Sequence, residues 1–294
     1  MVLYEEIDKN NRMTIILFVI FSLFYGVVVF FFLILLGFYP DLPLFSTATL
    51  TILVLSYLFV SSSGANFVLA LSGAKEIQKK DYPYLYNTVE GLSIAADIPT
   101  PKIYVIESEA LNAFATGLKP EKSYIAVTTG LLKKMNRLEL EGVIAHEISH
   151  IKNYDIRTML VAAVLAMAIA LLADMGIRII SARSSRDRIS GLELVALLFL
   201  ILAPFISFLI RMALSRNREY AADASAAMLT RYPAGLADAL QKIKEEYEKK
   251  PVELPGVNEA TRPLFIFDPM KKSLLSLFST HPPIEDRIAR LRKM

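Results

Sequence analysis

Two long stretches of this chain carry no charge at all, and nothing else limits its fold so strongly. Thr14 to Phe38 is a run of 25 residues without Asp, Glu, Lys or Arg, and Leu44 to Leu71 is a run of 28. At ~1.5 Å per helical residue, either is long enough to cross a hydrocarbon core of ~30 Å. The first is too long for the apolar region of a signal peptide and is followed by a second, so both read as retained anchors. A hydrophobic fraction of 54% and a mean hydropathy of +0.44 are likewise too high for an ordinary soluble protein.

Two later segments are less uniform. Thr158 to Ile180 carries Asp174 and Arg178, and Leu194 to Leu214 carries Arg211. Asp174 and Arg178 are four apart and can pair on one helix face, which lowers their cost near a membrane boundary. These segments read as a hydrophobic hairpin that spans the bilayer or lies against the rest of the fold, the alternative being two buried helices of a soluble core. Lys9 and Arg12 precede the first span, Tyr39 to Pro43 has no basic residue, and Lys75, Lys79 and Lys80 follow the second. The positive-inside rule therefore puts the N-terminus and everything after Lys75 in the cytoplasm. Arg183, Arg186 and Arg188 oppose this, so either the hairpin does not cross fully or the rule fails locally.

Between the anchors and the hairpin, Asp81, Tyr82 and Pro83 read as an N-cap and first turn of a helix reaching about Ala96. Lys102 to Glu107, Asn112 to Thr116 and Ser123 to Thr128 read as strands of a small sheet. Beyond the hairpin, 217–229 is helical, Pro233 opens a helix ending in a charged run, and Ile284 to Arg292 is a short basic helix. A net charge of +3 is spread along the chain and leaves no nucleic-acid footprint. The lack of cysteine excludes disulfides and thiol chemistry.

Two of the three histidines fall in His146-Glu147-Ile148-Ser149-His150, inside what reads as an amphipathic helix. Asn136 and Glu139 have capping-box spacing, and Leu140, Val143, Ile144, Ile148 and Ile151 form an apolar stripe at helical period. Side chains at i and i+4 share a face, so His146 and His150 can ligate one tetrahedral zinc. Glu147 then sits beside the metal, where a carboxylate can act as general base on its water.

A catalytic zinc needs a third protein ligand and an open position. If the hairpin folds back on itself, Glu219 at its exit meets His150 at its entrance. Asp223, four residues past Glu219, faces the same way and can accept the distal N–H of a ligating imidazole. His281 is open between a ligand, an oxyanion stabiliser and a structural histidine. Arg287 is a helix-surface cation or an anchor for a carboxylate beside the ligands.

HEISH with KNYD, the later SRNREYAAD, and STHPP with Arg287 together resemble the HtpX group of membrane-integrated zinc metalloproteases, relatives of the CAAX prenyl proteases of the endoplasmic reticulum. The likeness runs through Asn112 to Gly117 and Ala126 to Leu131 and covers most of the chain. It implies a gluzincin-type site: His146, His150 and Glu219 on one Zn2+, Glu147 as base, and Asn112, Ala113, Phe114 and Ala115 as the edge strand that pairs with an extended substrate. It disfavours His281 as a ligand.

The expectation is thus a mainly α integral membrane protein. It has about four hydrophobic helices and an α+β zincin-like catalytic domain with a small mixed sheet. A two-span anchor fills 1–74, the hairpin fills 158–214, and the protease domain is split between 75–157 and 215–294. Such a chain is expected in the plasma membrane with its catalytic domain facing the cytoplasm, cleaving misfolded or damaged membrane proteins. Prenyl-protein processing is the alternative enzyme reading, and a non-catalytic zinc-stabilised membrane scaffold the alternative class.

Overall fold

The structure, a computed structural model, describes residues 8, 10–21, 24, 26, 41–167, 216–249, 264–266 and 282–294. Helix α1 runs Asn10–Phe21. Helix α2, Leu42–Phe59, is started by the Asp41 carboxylate, which accepts from the Leu44 amide at 2.9 Å, with Pro43 in the first turn. One π turn, Val60–Gly64, joins it to α3, Ala65–Leu71. The composite helix Leu42–Leu71 has 30 residues, about 45 Å, and is long and apolar enough to cross a membrane. Leu42, Leu50, Leu55 and Leu58 on it are exposed. Among the described residues it is the one helix of that kind. Most of 158–214, with Asp174, Arg178 and Arg211, lies outside the described residues, as does 27–40.

A four-stranded mixed sheet follows, in the order β1-β2-β4-β3, with β1 Ala74–Glu76, β2 Lys102–Ile106, β3 Ala113–Lys119 and β4 Lys122–Thr128. β2 and β4 are parallel and the other pairs antiparallel. Helix α4, Pro83–Ala96, connects β1 to β2 along the chain. Its N-cap is Tyr82 rather than the anticipated Asp81, whose carboxylate instead accepts from the Gln78 amide in the preceding turn. Asp97 ends the helix in the left-handed region, φ 56°, which a short polar side chain tolerates.

Helix α5 covers Thr129–Lys134 and α6 Arg137–Lys152, the latter opened by the anticipated capping box of Asn136 and Glu139. Contrary to the amphipathic expectation, α6 is enclosed on nearly every side, with residues 142–151 all buried. A turn at Asn153 and Tyr154 leads into α7, residues 155–167, and the remaining helices among the described residues are α8 Arg216–Thr230, α9 Pro233–Lys249 and α10 Ile284–Leu291.

Strand alternation places the sheet between two large apolar clusters. Ile103, Val105, Ala113, Ala115, Ile125 and Val127 face one core with α4, α6, α8, α9 and α10. Ile106, Phe114 and Ala126 face the other, with Phe21, Val60, Val68, Leu160 and Val164 from the apolar helices and Phe265 edge-on to Phe114. The sheet therefore lies between the enclosed helix α6 and the apolar helices.

Candidate active site and metal centre

Helix α6 brings His146, Glu147 and His150 into the interior, and α8 brings Glu219 and Asp223 against them; all five are buried. The Nε2 atoms of His146 and His150 lie 3.1 Å apart. Glu219 offers Oε2 at 3.7 Å from His146 Nε2 and Oε1 at 3.7 Å from His150 Nε2. The three donor groups fall within 4.8 Å of one another.

Each imidazole is held from behind. Asp223 Oδ1 is 3.0 Å from His146 Nδ1, and Asp155 Oδ2 is 2.9 Å from His150 Nδ1. A carboxylate only accepts, so each Nδ1 carries the proton and donates it, and each Nε2 turns its lone pair toward the other. With both rings neutral, two lone pairs at 3.1 Å suit a cation between them. Donors ~2.1 Å from a tetrahedral zinc sit roughly 3.3 Å apart, close to the separations found.

Arg287, 2% exposed, reaches in from α10 and donates two bonds to Asp223, Nε to Oδ2 at 2.9 Å and Nη2 to Oδ1 at 2.7 Å. Its Nη1 lies 3.6 Å from Glu219 Oε2 and donates to the Ile266 carbonyl at 3.2 Å. Burial alone would raise the Asp223 carboxyl, but Arg287 and His146 outweigh it and hold it at about 2. Burial likewise disfavours charge on both imidazoles. His146 stays well below the usual range, with His150 and Arg287 adding to the effect, whereas Asp155 and Glu219 overcome burial at His150 and raise it. Burial is also the main cause that pushes Glu147 up to about 7, opposed by His150 and by a hydrogen bond from the Ala115 amide.

That bond ties the α6 glutamate to strand β3, which holds the outer position in the sheet. The Asn112 carbonyl accepts from Thr128 and so faces β4; by alternation the Ala113 and Ala115 backbones face outward. The Ala113 carbonyl accepts from Ile266 at 3.0 Å, and the Ala113 amide donates to Asn112 Oδ1 at 3.0 Å. Phe114 points the other way, into the apolar cluster.

The structure thus brings together His146, Glu147, His150, Glu219, Asp223, Arg287 and the start of β3. His281 lies outside the described residues. Sequence reasoning missed Asp155. It stands five residues beyond His150, past a helix end, and only the reversal at Tyr154, φ 61°, swings it back behind the ring. The signal was present in KNYD, whose aspartate follows the histidine pair.

Residues 79–294 match peptidase family M48. A Protease HtpX homolog of Dictyoglomus thermophilum is 50% identical over 99% of this chain and 94% of its own length. Another from Streptococcus uberis is 43% identical over 99% of this chain and all of its own. In three dimensions the chain is similar to the crystal structure of S. mikatae Ste24p, with a TM-score of 0.54 at 20% identity, covering 97% of this chain and 66% of that one; this likeness is one of fold. With a family match across three quarters of its length and relatives matched end to end, the chain belongs to peptidase family M48, among the HtpX proteases.

Proposed function

We propose that the protein is a membrane-anchored zinc endopeptidase that cleaves misfolded or damaged membrane proteins. The observation that supports this most is the convergence of two imidazole Nε2 atoms and the Glu219 carboxylate, with both Nδ1 atoms held by carboxylates and Glu147 alongside. His146, His150 and Glu219 would hold the metal. Zinc, when bound, polarises the scissile carbonyl and lowers the pKa of the attacking water to about 7.

Glu147 takes the proton from that water and delivers it to the leaving nitrogen. Burial raises this carboxyl above the usual range, which favours its taking up a proton. Asp223 and Asp155 fix the histidine tautomers, and Arg287 fixes Asp223. An extended peptide pairs along β3, between Asn112 and the bulge after Gly117, at the outward Ala115 carbonyl and, once Ile266 gives it up, at the Ala113 carbonyl, which lays its scissile bond beside Glu147. His281 serves in this reading as a donor to the developing oxyanion, on sequence grounds. Residues 1–74 form the anchor and 158–214 a hydrophobic hairpin between the two halves of the protease domain, 75–157 and 215–294. The catalytic domain faces the cytoplasm, and the substrates are reached at the surface of the plasma membrane.

Purified protein incubated with a mixture of membrane proteins, with and without chelator, tests this reading through mass spectrometry of new termini. Chelator-sensitive cleavage is expected. Glu147→Gln, of equal size and still able to accept from Ala115, is expected to keep one zinc per chain while kcat falls about 10²- to 10⁴-fold. Full activity in that variant would overturn the mechanism, and the absence of any chelator-sensitive cleavage would overturn the function.

A further inference from the structure

The first turn of α1 reaches the rear of the site. Asn10, 3% exposed, places its side chain between the two chain segments that carry the donor groups. Its Nδ2 donates to the Asn153 carbonyl at 2.9 Å and to Asp155 Oδ1 at 2.7 Å. Its Oδ1 accepts from Arg218 Nη1 at 3.3 Å. Both Nδ2 partners are acceptors and the Oδ1 partner is a donor, so the amide has one satisfactory orientation. Asp155 is the carboxylate behind His150, and Arg218 immediately precedes Glu219. No other described side chain outside the 146–155 and 216–223 segments donates a hydrogen bond to Asp155.

We infer that Asn10 is a positioning residue for the metal site: it fixes the Asp155 carboxylate that orients His150, and it ties that carboxylate to the residue beside Glu219. The inference rests on the metal-site reading given above. Its physical basis is that a buried carboxylate shared between an imidazole N–H and an amide N–H has both oxygens committed, so it cannot rotate away from the ring. Without the amide, Oδ1 is left with Arg218 Nε at 4.0 Å, too far for a hydrogen bond. Groups that hold ligating histidines in this way typically contribute 10- to 100-fold in metal affinity. Asn10 opens the first hydrophobic helix, so the anchor contributes a side chain to the site as well as fixing the enzyme to a membrane.

Thr14, one turn further along α1, supplies the control. Its hydroxyl lies 3.0 Å from that of Thr158 and bonds the Asn10 carbonyl at 2.9 Å, but it does not touch Asp155. The test uses the full chain in detergent. It reads Zn2+ affinity by competition with a chromophoric chelator, the visible spectrum of the Co2+ form, and kcat and KM separately. Asn10→Ala is expected to weaken Zn2+ binding about 10- to 100-fold, alter the Co2+ spectrum and lower kcat with KM unchanged. Asn10→Asp keeps the size and the acceptor for Arg218 but lacks the donor; it is expected to lose affinity in the same way, and it serves if the alanine variant does not fold. Thr14→Val is expected to retain wild-type affinity and spectrum. Wild-type affinity in both Asn10 variants, or an equal loss in Thr14→Val, would overturn the inference while leaving the enzyme reading intact. A wild-type protein that binds no stoichiometric metal would overturn the enzyme reading itself, and this inference with it.

Discussion

Arg287 is almost wholly buried, and three carboxylates explain why it stays charged there. Asp223, Glu219 and Glu147 raise its already high pKa further against the cost of burial, and the two bonds to Asp223 use the fork of the guanidinium. Lysine has one point of charge and cannot hold both Asp223 oxygens while reaching toward Glu219 and the Ile266 carbonyl. Arg287→Lys is therefore expected to weaken Zn2+ binding about tenfold, measured by chelator competition. Arg287→Ala leaves Asp223 buried without its cation and is expected to cost about 3–5 kcal/mol of stability in denaturant unfolding. An alanine variant as stable as the parent would show that the pair is not holding the site. Arg287 and Asp223 were legible as candidates because each stands at a helical offset or in a short string near the other site residues. Asp155 left only its place in KNYD as a signal, and Asn10 left none. One depends on a left-handed turn at Tyr154, and the other on a tertiary contact 145 residues away, and neither leaves a periodicity in the sequence.

At the scale of elements, the site depends on how closely α6 and α9 approach, because α9 packs against the same helix that presents the histidines. Their contact is made by glycines. A Cβ on Gly142 would lie 2.6 Å from the Leu236 amide nitrogen and 2.8 Å from its Cα, and one on Gly235 would lie 2.5 Å from the Leu138 carbonyl oxygen. These are backbone atoms, so neither helix can accommodate the methyl group by a rotamer change, and the pair must separate. Gly142→Ala gains helix propensity yet is expected to destabilise the protein by about 1–3 kcal/mol through overpacking, read as a lowered denaturation midpoint. Increased stability would mean that the crossing is looser than these distances state. Strands β2 and β4 and the capping box of α6 were readable because each combines a periodic pattern with a boundary residue. Strand β1 was not, since three residues, Ala74–Glu76, are too few to display alternation. The enclosure of α6 was hidden for a different reason: Gly142, Ala145 and Ser149 lie off the apolar stripe, yet all three are buried, and Gly142 lies against Leu236.

For the molecule as a whole, the apolar helices and the peptidase core share one continuous structure. Phe114, beside the residues that face Glu147, packs into the same cluster as Phe21, Val60 and Leu160 from the hydrophobic segments. The candidate site is therefore built against the apolar helices, and if these cross a membrane as proposed, the site lies beside it. Basic residues flank the two hydrophobic runs at Lys9, Arg12, Lys75, Lys79 and Lys80, and the connection from Tyr39 to Pro43 has none; on the orientation proposed above, that connection lies on the outer side. The absence of cysteine makes this directly testable, because each introduced thiol is the only one in the chain. Leu42→Cys lies at the exposed start of α2, and Lys119→Cys at the exposed end of β3. In right-side-out membrane vesicles a membrane-impermeant maleimide is expected to label Leu42→Cys and to leave Lys119→Cys unlabelled until detergent is added. Labelling of Lys119→Cys in sealed vesicles would place the peptidase core outside, and the basic flanks would then have misassigned the orientation. Substrates would in that case be sought on the outer side of the membrane, since β3, which ends at Lys119, is the strand on which they are proposed to pair.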